Sequence, residues 1–471
     1  MPSPGRARLL PLLLLIPIVG VAIHAARLAQ PTPDFVAAVD RIARNALAAT
    51  GVPSASIAIV RDGALAYTHA YGNARLPAAA ATTTMRYSIG SISKQFTSAA
   101  ILLLQEQRRL SLDDAVGKYV PGLTRGDEVT IRQVLSHTSG YQDYWPQDYV
   151  PPFMLTPINA QGILDRWARR PLDFEPGTQW QYSNTNYVIA GLIVEKAAGM
   201  PLWQFLNTRV FTPLGITSAT NIDERGLPSG DPTGYFRYAL GPPRPAPKEG
   251  PGWLFAAGEI AMTPSDLAKW DISMLKRTVL SAASYDALAS EVRLKSGAGT
   301  SYGLGVSVSV VAGHRQIEHS GEVSGFTAEN IVLPDDSCAI VVLTNQDAAS
   351  AASIIGQGIR TLLLPQNATG GDQARNALVK RVFDDLRQGR IDRSLFTDNA
   401  NAYFTDQALK DYASSLQPLG EPTSLTATGV RSRGGMIYRG FQARFATRTV
   451  ALSIFEMPDG KFEQFLIVAR D

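Results

Sequence analysis

The chain has 471 residues, of which 45% are hydrophobic and 18% charged, a composition typical of a globular protein with two or three domains. Its net charge is only +3, and lysine and arginine do not cluster with aromatic residues, so the sequence offers little support for nucleic-acid binding. A single cysteine, Cys338, excludes an intramolecular disulfide, and its apolar surroundings predict a buried strand residue.

The N-terminus has the order of residues found in secretory signals. Arg6 and Arg8 precede an apolar run from Leu9 to Ile23, and small residues follow around Ala29. The run is shorter than the ~20 residues of a membrane-spanning helix. We therefore expect residues 1–29 to direct export to the periplasm or the medium, as a cleaved signal or as an uncleaved anchor. No other membrane contact is expected.

A helix, a hairpin and a second helix are predicted next. Residues 34–50 carry apolar side chains at helical spacing and stop before Gly51. The stretch SASIAIVRDGALAYTHAYG predicts two strands joined by the turn Asp62-Gly63. From Ser91 to about Arg109 the pattern is helical and so apolar that the helix should lie in the middle of a domain.

The middle of the chain is predicted to be largely helical. Helices are expected in TIRQVLSHTSG, ending at Gly140, in NTNYVIAGLIVEKAAG, ending at Gly199, and in TPSDLAKWDISML. Residues 224–252 are rich in proline and glycine and predict a long surface loop. Between Tyr302 and Asn345 four strands are expected, followed by a helix in ASIIGQGIRTLLL. This order predicts an α+β fold, an antiparallel sheet flanked by helices with an inserted all-helical subdomain.

A second, smaller domain is predicted at the C-terminus. Residues 365–373 are small and polar and indicate a linker after a first domain of residues 34–364. In residues 374–471, two helices are expected, one in ARNALVKRVFDDLRQG and one near Asp406–Leu416. Strands of alternating character follow in GMIYRGFQARF, TVALSIFEM and KFEQFLIVA. Helices followed by a meander predict a small α+β domain.

Ser91 and Lys94 are the first candidate for chemistry. On a helix, residues three apart share a face, with Cβ atoms roughly 5–6 Å apart. A serine hydroxyl needs a base to become a nucleophile, and a buried lysine can be neutral enough to serve. The alternative is a serine cap beside a solvated lysine, and the pair alone favours that alternative.

Two further motifs are weak when taken singly. Tyr182 and Asn184 lie in QYSNTNY, about ninety residues after Ser91. His319, Ser320 and Gly321 lie in EHSGEVSGF, at the end of a predicted strand where glycine lets a ligand approach the backbone.

In this order and spacing, the three motifs resemble the serine penicillin-recognising family, which includes class C β-lactamases, DD-peptidases, D-aminopeptidases (peptidase S12-like) and related esterases. The intervening segments are similar too, among them IGSISKQFTSAAILLLQEQRRLSLDDAVGKYVPGL, FEPGTQWQYSNTNYVIAGLIVEKAAGMPL and GEIAMTPSDLAKW. The resemblance covers residues 34–364. It implies a β-lactamase/transpeptidase-like fold and a reaction through an acyl-enzyme.

The resemblance also implies a role for each motif residue. Ser91 would attack a carbonyl carbon, and Lys94 and Tyr182 would share the role of base, in a division that is disputed among such enzymes. Asn184 would orient the substrate amide and Lys94. The backbone N–H groups of Ser91 and Glu322 would form the oxyanion hole. His319, Ser320 and Gly321 would contact the substrate.

One departure from the family pattern concerns His319, because the third motif usually begins with lysine. Lysine is a cation at neutral pH and can anchor a substrate carboxylate, whereas histidine is mostly neutral there. The departure puts strong penicillin hydrolysis in doubt and widens the expected substrate range. His137, in LSHTSG, is interpreted as a structural residue at a helix end.

We therefore expect an exported serine hydrolase that cleaves an amide or ester bond of a small peptide, D-amino-acid compound or ester. The alternatives are a true β-lactamase or DD-carboxypeptidase, and a non-catalytic protein that binds peptidoglycan fragments. No cofactor is expected, and no residue spacing resembles a metal site. The C-terminal domain resembles, more loosely, the curved-sheet half-cones related to nuclear transport factor 2 and ketosteroid isomerase.

Overall fold

The computed structural model describes residues 31–145, 150–239, 241–364, 370–433 and 436–470. The predicted export segment lies outside these residues. Within them, no helix combines the length and the apolar character needed to cross a bilayer.

The chain forms a large body of sheet and helices followed by a smaller unit. The helices are α1 (Pro33–Thr50), α2 (Ser93–Glu106), α3 (Ile131–Leu135), α4 (Ala160–Ile163), α5 (Asn184–Ala198), α6 (Leu202–Leu206), α7 (Thr212–Leu214), α8 (Ile222–Arg225), α9 (Pro264–Lys276), α10 (Ala282–Leu288), α11 (Ala351–Leu363), α12 (Gly370–Arg387), α13 (Asp398–Tyr403) and α14 (Asp406–Leu416). The strands are β1 (Ser54–Arg61), β2 (Ala64–Arg75), β3 (Ala79–Ala80), β4 (Tyr87–Ser88), β5 (Thr220–Asn221), β6 (Tyr235–Phe236), β7 (Arg244–Pro245), β8 (Ile260–Met262), β9 (Ser307–Val311), β10 (His314–Val323), β11 (Phe326–Leu333), β12 (Cys338–Thr344), β13 (Ser424–Arg433), β14 (Met436–Arg444), β15 (Thr449–Glu456) and β16 (Phe462–Arg470).

A seven-stranded antiparallel sheet forms the centre of the body, in the order β3-β2-β1-β12-β11-β10-β9. The predicted hairpin is confirmed: β1 and β2 meet at Asp62 and Gly63, which both have the positive φ of a tight hairpin turn. The four later strands form the predicted meander and join the hairpin through the pairing of β12 with β1. The α+β class expected from the sequence is confirmed.

Both faces of this sheet are buried, as the pattern of β12 illustrates. Ala339, Val341 and Leu343 belong to a core shared with α2, α9 and the helical block, while Cys338 and Ile340 face a second core under α1 and α11. Alternate residues of a strand point to opposite faces, so a strand that is apolar throughout fits a two-sided burial. The prediction of a buried strand position for Cys338 is confirmed.

The helix predicted to end at Gly140 is shorter than expected. It ends at Leu135, and His137 takes a positive φ of 60°. The chain leaves the helix because its backbone bonds to a distant segment instead: His137 O accepts from Gln181 N at 3.0 Å. The residues after α3 are thereby directed into the core beside Tyr182.

The smaller C-terminal unit has a core of its own. Its four strands form an antiparallel sheet in the order β13-β14-β15-β16, and α12 buries Val379, Val382, Phe383 and Leu386 against it. The sequence did not predict β13 or α13. The first helix also begins at Gly370, inside the segment 365–373 that was predicted to be a linker; residues 365–369 lie outside the described part of the chain.

Candidate active site

Ser91 lies in a 3-10 turn, Gly90–Ile92, that leads directly into α2. Two glycines allow strand β10 to lie against this turn. A Cβ on Gly321 would fall 1.9 Å from Ile89 O, and a Cβ on Gly90 would fall 2.5 Å from Glu322 N. The close fit sets the backbone amides of Ser91 and Glu322 next to each other, an arrangement in which two N–H groups could hold an oxyanion.

Lys94 follows one turn later and is completely buried. Its Nζ lies 2.9 Å from Ser91 Oγ, 2.8 Å from Asn184 Oδ1 and 2.9 Å from Ala257 O. Burial lowers the pKa of Lys94 to about 7, and the carboxylate of Asp143 opposes part of that shift. A large share of the amine is therefore neutral at neutral pH and able to accept a proton from Ser91.

The side chain of Tyr182 lies next to Ser91 and Lys94. The hydroxyl is buried and makes no hydrogen bond of good geometry to a described residue, and the ring centroid lies 5.0 Å from Lys94 Nζ. Burial raises the pKa of Tyr182 well above its ordinary value, although Ser91 lies close enough to oppose part of the shift. Tyr182 therefore keeps its proton at neutral pH.

Asp143, which the sequence analysis missed, holds Asn184. Its Oδ1 accepts hydrogen bonds from the backbone N of Asn184 at 2.8 Å and from Asn184 Nδ2 at 3.2 Å. Burial raises the pKa of this carboxyl group, and the bonds from Asn184 oppose the shift. No local sequence pattern links Asp143 to Asn184, so the sequence carries no signal that could have found it.

His319 is buried, with 6% of its surface exposed, and both ring nitrogens are occupied. Its Nδ1 must donate to Ser320 O, a pure acceptor 2.6 Å away, so Nε2 accepts from the hydroxyl of Tyr302 at 2.8 Å. Burial lowers the pKa of His319 to about 4, and the positive charge of Lys94 adds to the shift. The ring is therefore neutral at neutral pH.

The three residues of the third motif have different surroundings. Gly321 lies against the turn that carries Ser91, whereas Ser320 is exposed. The ring of His319 lies beside that of Tyr182, tilted by 50° with the centroids 6.1 Å apart, and none of the three residues lines the cavity in front of Ser91.

His137 packs behind the same tyrosine. Its ring centroid lies 4.3 Å from that of Tyr182, and its Nδ1 accepts from the backbone N of Ser183 at 3.2 Å. Burial lowers the pKa of His137 well below its ordinary value. These contacts agree with the structural interpretation of His137. The residue lies beyond the end of α3, however, and packs against Tyr182.

A cavity of about 270 Å³ opens in front of Ser91, Tyr182 and Asn184. Three carboxyl groups lie on its wall, those of Asp143, Glu322 and Asp347, next to aromatic side chains. Among the described residues no lysine or arginine lines the cavity. The wall is therefore acidic, although burial raises the pKa of the Asp143 and Asp347 carboxyl groups. Within the same described residues, no group of histidine, cysteine, aspartate or glutamate has the arrangement of a metal site.

The long loop 224–252 lines a second cavity of about 480 Å³ that adjoins the first. The two cavities share Leu254, Val323 and Ser324. Ser324 also holds the loop, because its backbone N donates to Glu249 Oε1 at 2.8 Å and its hydroxyl donates to Pro247 O. The described residues of the loop thus line the second cavity, and none of them lines the cavity in front of Ser91.

The chain is similar to known proteins over its larger body. Residues 39–357 match the family described as Beta-lactamase. The sequence is 29% identical over 311 residues to a penicillin-binding protein of Bacillus subtilis (strain 168), covering 62% of this chain and 68% of that protein. It is 27% identical over 304 residues to a D-aminopeptidase of Brucella anthropi, covering 64% of this chain and only 57% of that protein.

Solved structures share the fold. A D-stereospecific amidohydrolase from Streptomyces sp. superposes with a TM-score of 0.60 at 27% identity, covering 68% of this chain and 96% of that one. An octameric penicillin-binding protein homologue from Pyrococcus abyssi superposes with a TM-score of 0.62 over 93% of this chain and 96% of that one. At 21% identity, this second likeness concerns the fold alone.

Proposed function

The chain belongs to the beta-lactamase family, and from this we propose that it is a serine hydrolase that cleaves the amide bond of a small, amine-bearing compound through an acyl-enzyme on Ser91. The observation that carries the proposal is the buried Nζ of Lys94, 2.9 Å from Ser91 Oγ, with its pKa lowered to about 7. Similarity to a D-aminopeptidase and to a D-stereospecific amidohydrolase supports an amide, and a D-amino-acid compound, as the substrate class.

In the proposed reaction, neutral Lys94 accepts the hydroxyl proton as Ser91 Oγ bonds to the carbonyl carbon. The backbone N–H groups of Ser91 and Glu322 hold the oxyanion that forms. The C–N bond then breaks, and the proton passes to the leaving amine from Lys94 or through the phenol of Tyr182. Water attacks the resulting ester, its proton returns by the same groups to Ser91 Oγ, and the carboxylic acid leaves.

The charges around the cavity favour a substrate with an amine over one with a carboxylate. Burial raises the pKa of the Asp143 and Asp347 carboxyl groups, but in their ionised form these groups attract an ammonium group and repel a substrate carboxylate. His319 is neutral and buried, so it supplies no cation of the kind that lysine offers at this position. These features argue against efficient hydrolysis of penicillins and of peptides with a free C-terminal carboxylate. They therefore disfavour the alternative function of a true β-lactamase or DD-carboxypeptidase.

Mass spectrometry of the intact protein after treatment with an activated phosphonate tests the nucleophile. We expect one adduct on the wild type and none on Ser91→Ala. An equal adduct on both proteins would show that another residue reacts, and no adduct on the wild type would overturn the proposed reaction.

The substrate class is tested by comparing a D-amino-acid p-nitroanilide with its N-acetylated form. We expect the free amine to have a kcat/KM about fivefold higher, which corresponds to the roughly 1 kcal/mol of an ion pair that is open to solvent. Asp347→Asn should reduce this preference. Faster hydrolysis of the acetylated compound, or of a chromogenic cephalosporin, would contradict the assignment.

We also propose that residues 1–29 direct export of the protein. Fractionation of cells that produce the full chain, followed by N-terminal sequencing, tests it. A chain recovered in the cytoplasm with these residues intact would contradict export.

A further inference from the structure

The carboxylate of Asp143 stands at the N-terminus of α5, where a capping group would normally be. The residue before that helix, Ser183, makes no side-chain hydrogen bond to the first turn. Instead Asp143 Oδ1 accepts from the backbone N of Asn184 at 2.8 Å, and it also accepts from Trp145 N at 3.2 Å within its own loop. A residue from a distant loop therefore caps the helix that begins with Asn184.

The same carboxylate decides which way the side-chain amide of Asn184 is turned. A carboxylate can only accept, so the amide presents Nδ2 to Asp143 at 3.2 Å. The amide oxygen must then face the other way. There it lies 2.8 Å from Lys94 Nζ.

The orientation of Asn184 controls where the amine of Lys94 points its lone pair. A neutral amine has two N–H donors and one lone pair. Asn184 Oδ1 and Ala257 O are acceptors at 2.8 and 2.9 Å, and they take the two N–H groups. The remaining direction points to Ser91 Oγ at 2.9 Å. If the amide were reversed, its NH₂ group would compete with Ser91 for the lone pair.

The other titratable groups described around Lys94 are neutral, so Asp143 is the charged group that affects its pKa. The rings of Tyr182 and Tyr187 lie 5.0 and 5.4 Å from Nζ, and burial keeps both hydroxyl groups protonated. His137 and His319 have lowered pKa values and are neutral. Asp143 raises the pKa of Lys94 against the effect of burial.

We propose that Asp143 is a positioning residue of the reaction, which fixes the amide of Asn184 so that Lys94 keeps its lone pair directed at Ser91. The inference rests on the proposed function, because it takes Ser91 as the nucleophile. It assigns to Asp143 an effect on rate that is transmitted through Asn184, and a separate effect of its charge on the protonation of Lys94.

The test is the rate at which the phosphonate labels Ser91 in the Asp143→Asn protein, measured against pH. On the plateau we expect a loss of about 100-fold, the cost of a misplaced catalytic group. The acid limb should move to lower pH, because loss of the carboxylate lowers the pKa of Lys94. In an Asn184→Ala background, the same substitution should cost little further rate on the plateau.

Asp143→Glu separates charge from position, and it also serves if Asp143→Asn fails to fold. The longer side chain keeps the charge, so the acid limb should stay near that of the wild type while the plateau rate falls. Asp173→Asn is the matched control: it removes an exposed carboxylate that accepts from Gln181, three residues before Asn184, and it should change neither quantity.

The outcomes distinguish this inference from the function on which it rests. An unchanged plateau and acid limb in Asp143→Asn would overturn it, as would an equally large loss in the Asn184→Ala background. If wild-type Ser91 itself is not labelled, the proposed function fails, whatever the variants do.

Discussion

Lys94 illustrates how burial makes a common side chain reactive. All three hydrogen-bonding directions of its Nζ end on oxygen atoms, and none of these oxygens is a carboxylate. Without a directly bound counter-ion, the cost of burial falls on the charged form, and the pKa falls to about 7. The amine is thus kept ready to accept a proton.

Replacing Lys94 by arginine should abolish acylation even though the charge is kept, because a guanidinium does not lose its proton at any working pH. The measurement is phosphonate labelling of Ser91 by intact mass. Lys118→Arg is a suitable control, since Lys118 is an exposed lysine paired with Asp114. Near-normal labelling of the Lys94→Arg protein would remove Lys94 from the role of base.

The motif residues could be predicted from the sequence because their spacing is local or their order along the chain is distinctive. Ser91 and Lys94 are one helical turn apart, and the later motifs follow in a fixed order. Asp143 could not be predicted, because it meets Asn184 across 41 residues of chain and no local pattern links the two. The contact of His319 with a substrate stays a prediction, because a motif does not encode the direction of a side chain.

At the level of helices and strands, a buried chain of polar groups ties α2 to the sheet and to α9. Trp270 Nε1 donates to Gln95 Oε1 at 2.8 Å, and Gln95 Nε2 donates to Asn330 Oδ1 at 3.0 Å. Asn330 Nδ2 then donates to the carboxyl group of Asp271 at 2.9 Å. Gln95 is the residue after Lys94, so this chain of hydrogen bonds holds the helix that carries the proposed base.

Asn330→Ala should lower the free energy of unfolding by about 2–4 kcal/mol, because it leaves buried groups of Gln95 and Asp271 without partners. Urea unfolding measures the change. In the double variant Asn330→Ala/Asp271→Ala, the loss of unfolding free energy should be smaller than the sum of the two single losses. The reason is that the buried carboxyl group left without a partner by Asn330→Ala is then absent. A change below about 0.5 kcal/mol in Asn330→Ala would mean that these hydrogen bonds contribute little to the free energy of unfolding.

Where the predicted helices and strands differ from the structure, a long-range contact explains the difference. The helix before His137 stops early because the following backbone pairs with the segment that leads to Tyr182. Strand β13 reads SLTATGVRSR, with few large apolar residues, and it forms by pairing with β14. Such pairings override local propensity, whereas the helices α1, α5 and α14 were predicted nearly to the residue.

At the scale of the whole molecule, every residue of the candidate site lies before α11, and the C-terminal unit has a separate core. A unit with its own core can in principle be removed without unfolding the rest. This arrangement leaves the proposed chemistry to the larger body.

A chain ended after Leu364 should therefore label Ser91 at close to the full-length rate, within about threefold, since the body keeps its own core. The comparison is the second-order rate constant of phosphonate labelling for the two proteins. Loss of labelling in a truncated chain that still unfolds cooperatively would show that the C-terminal unit supports the site.

The truncation has a second consequence, which concerns solubility. Strand β9 is the last strand of the seven-stranded sheet, and β13 of the C-terminal unit lies against it. Without that neighbour, the open edge of the sheet could pair with the edge of another molecule. The shortened protein should thus stay chemically competent while it self-associates at high concentration, and light scattering rather than turnover would reveal what the C-terminal unit contributes.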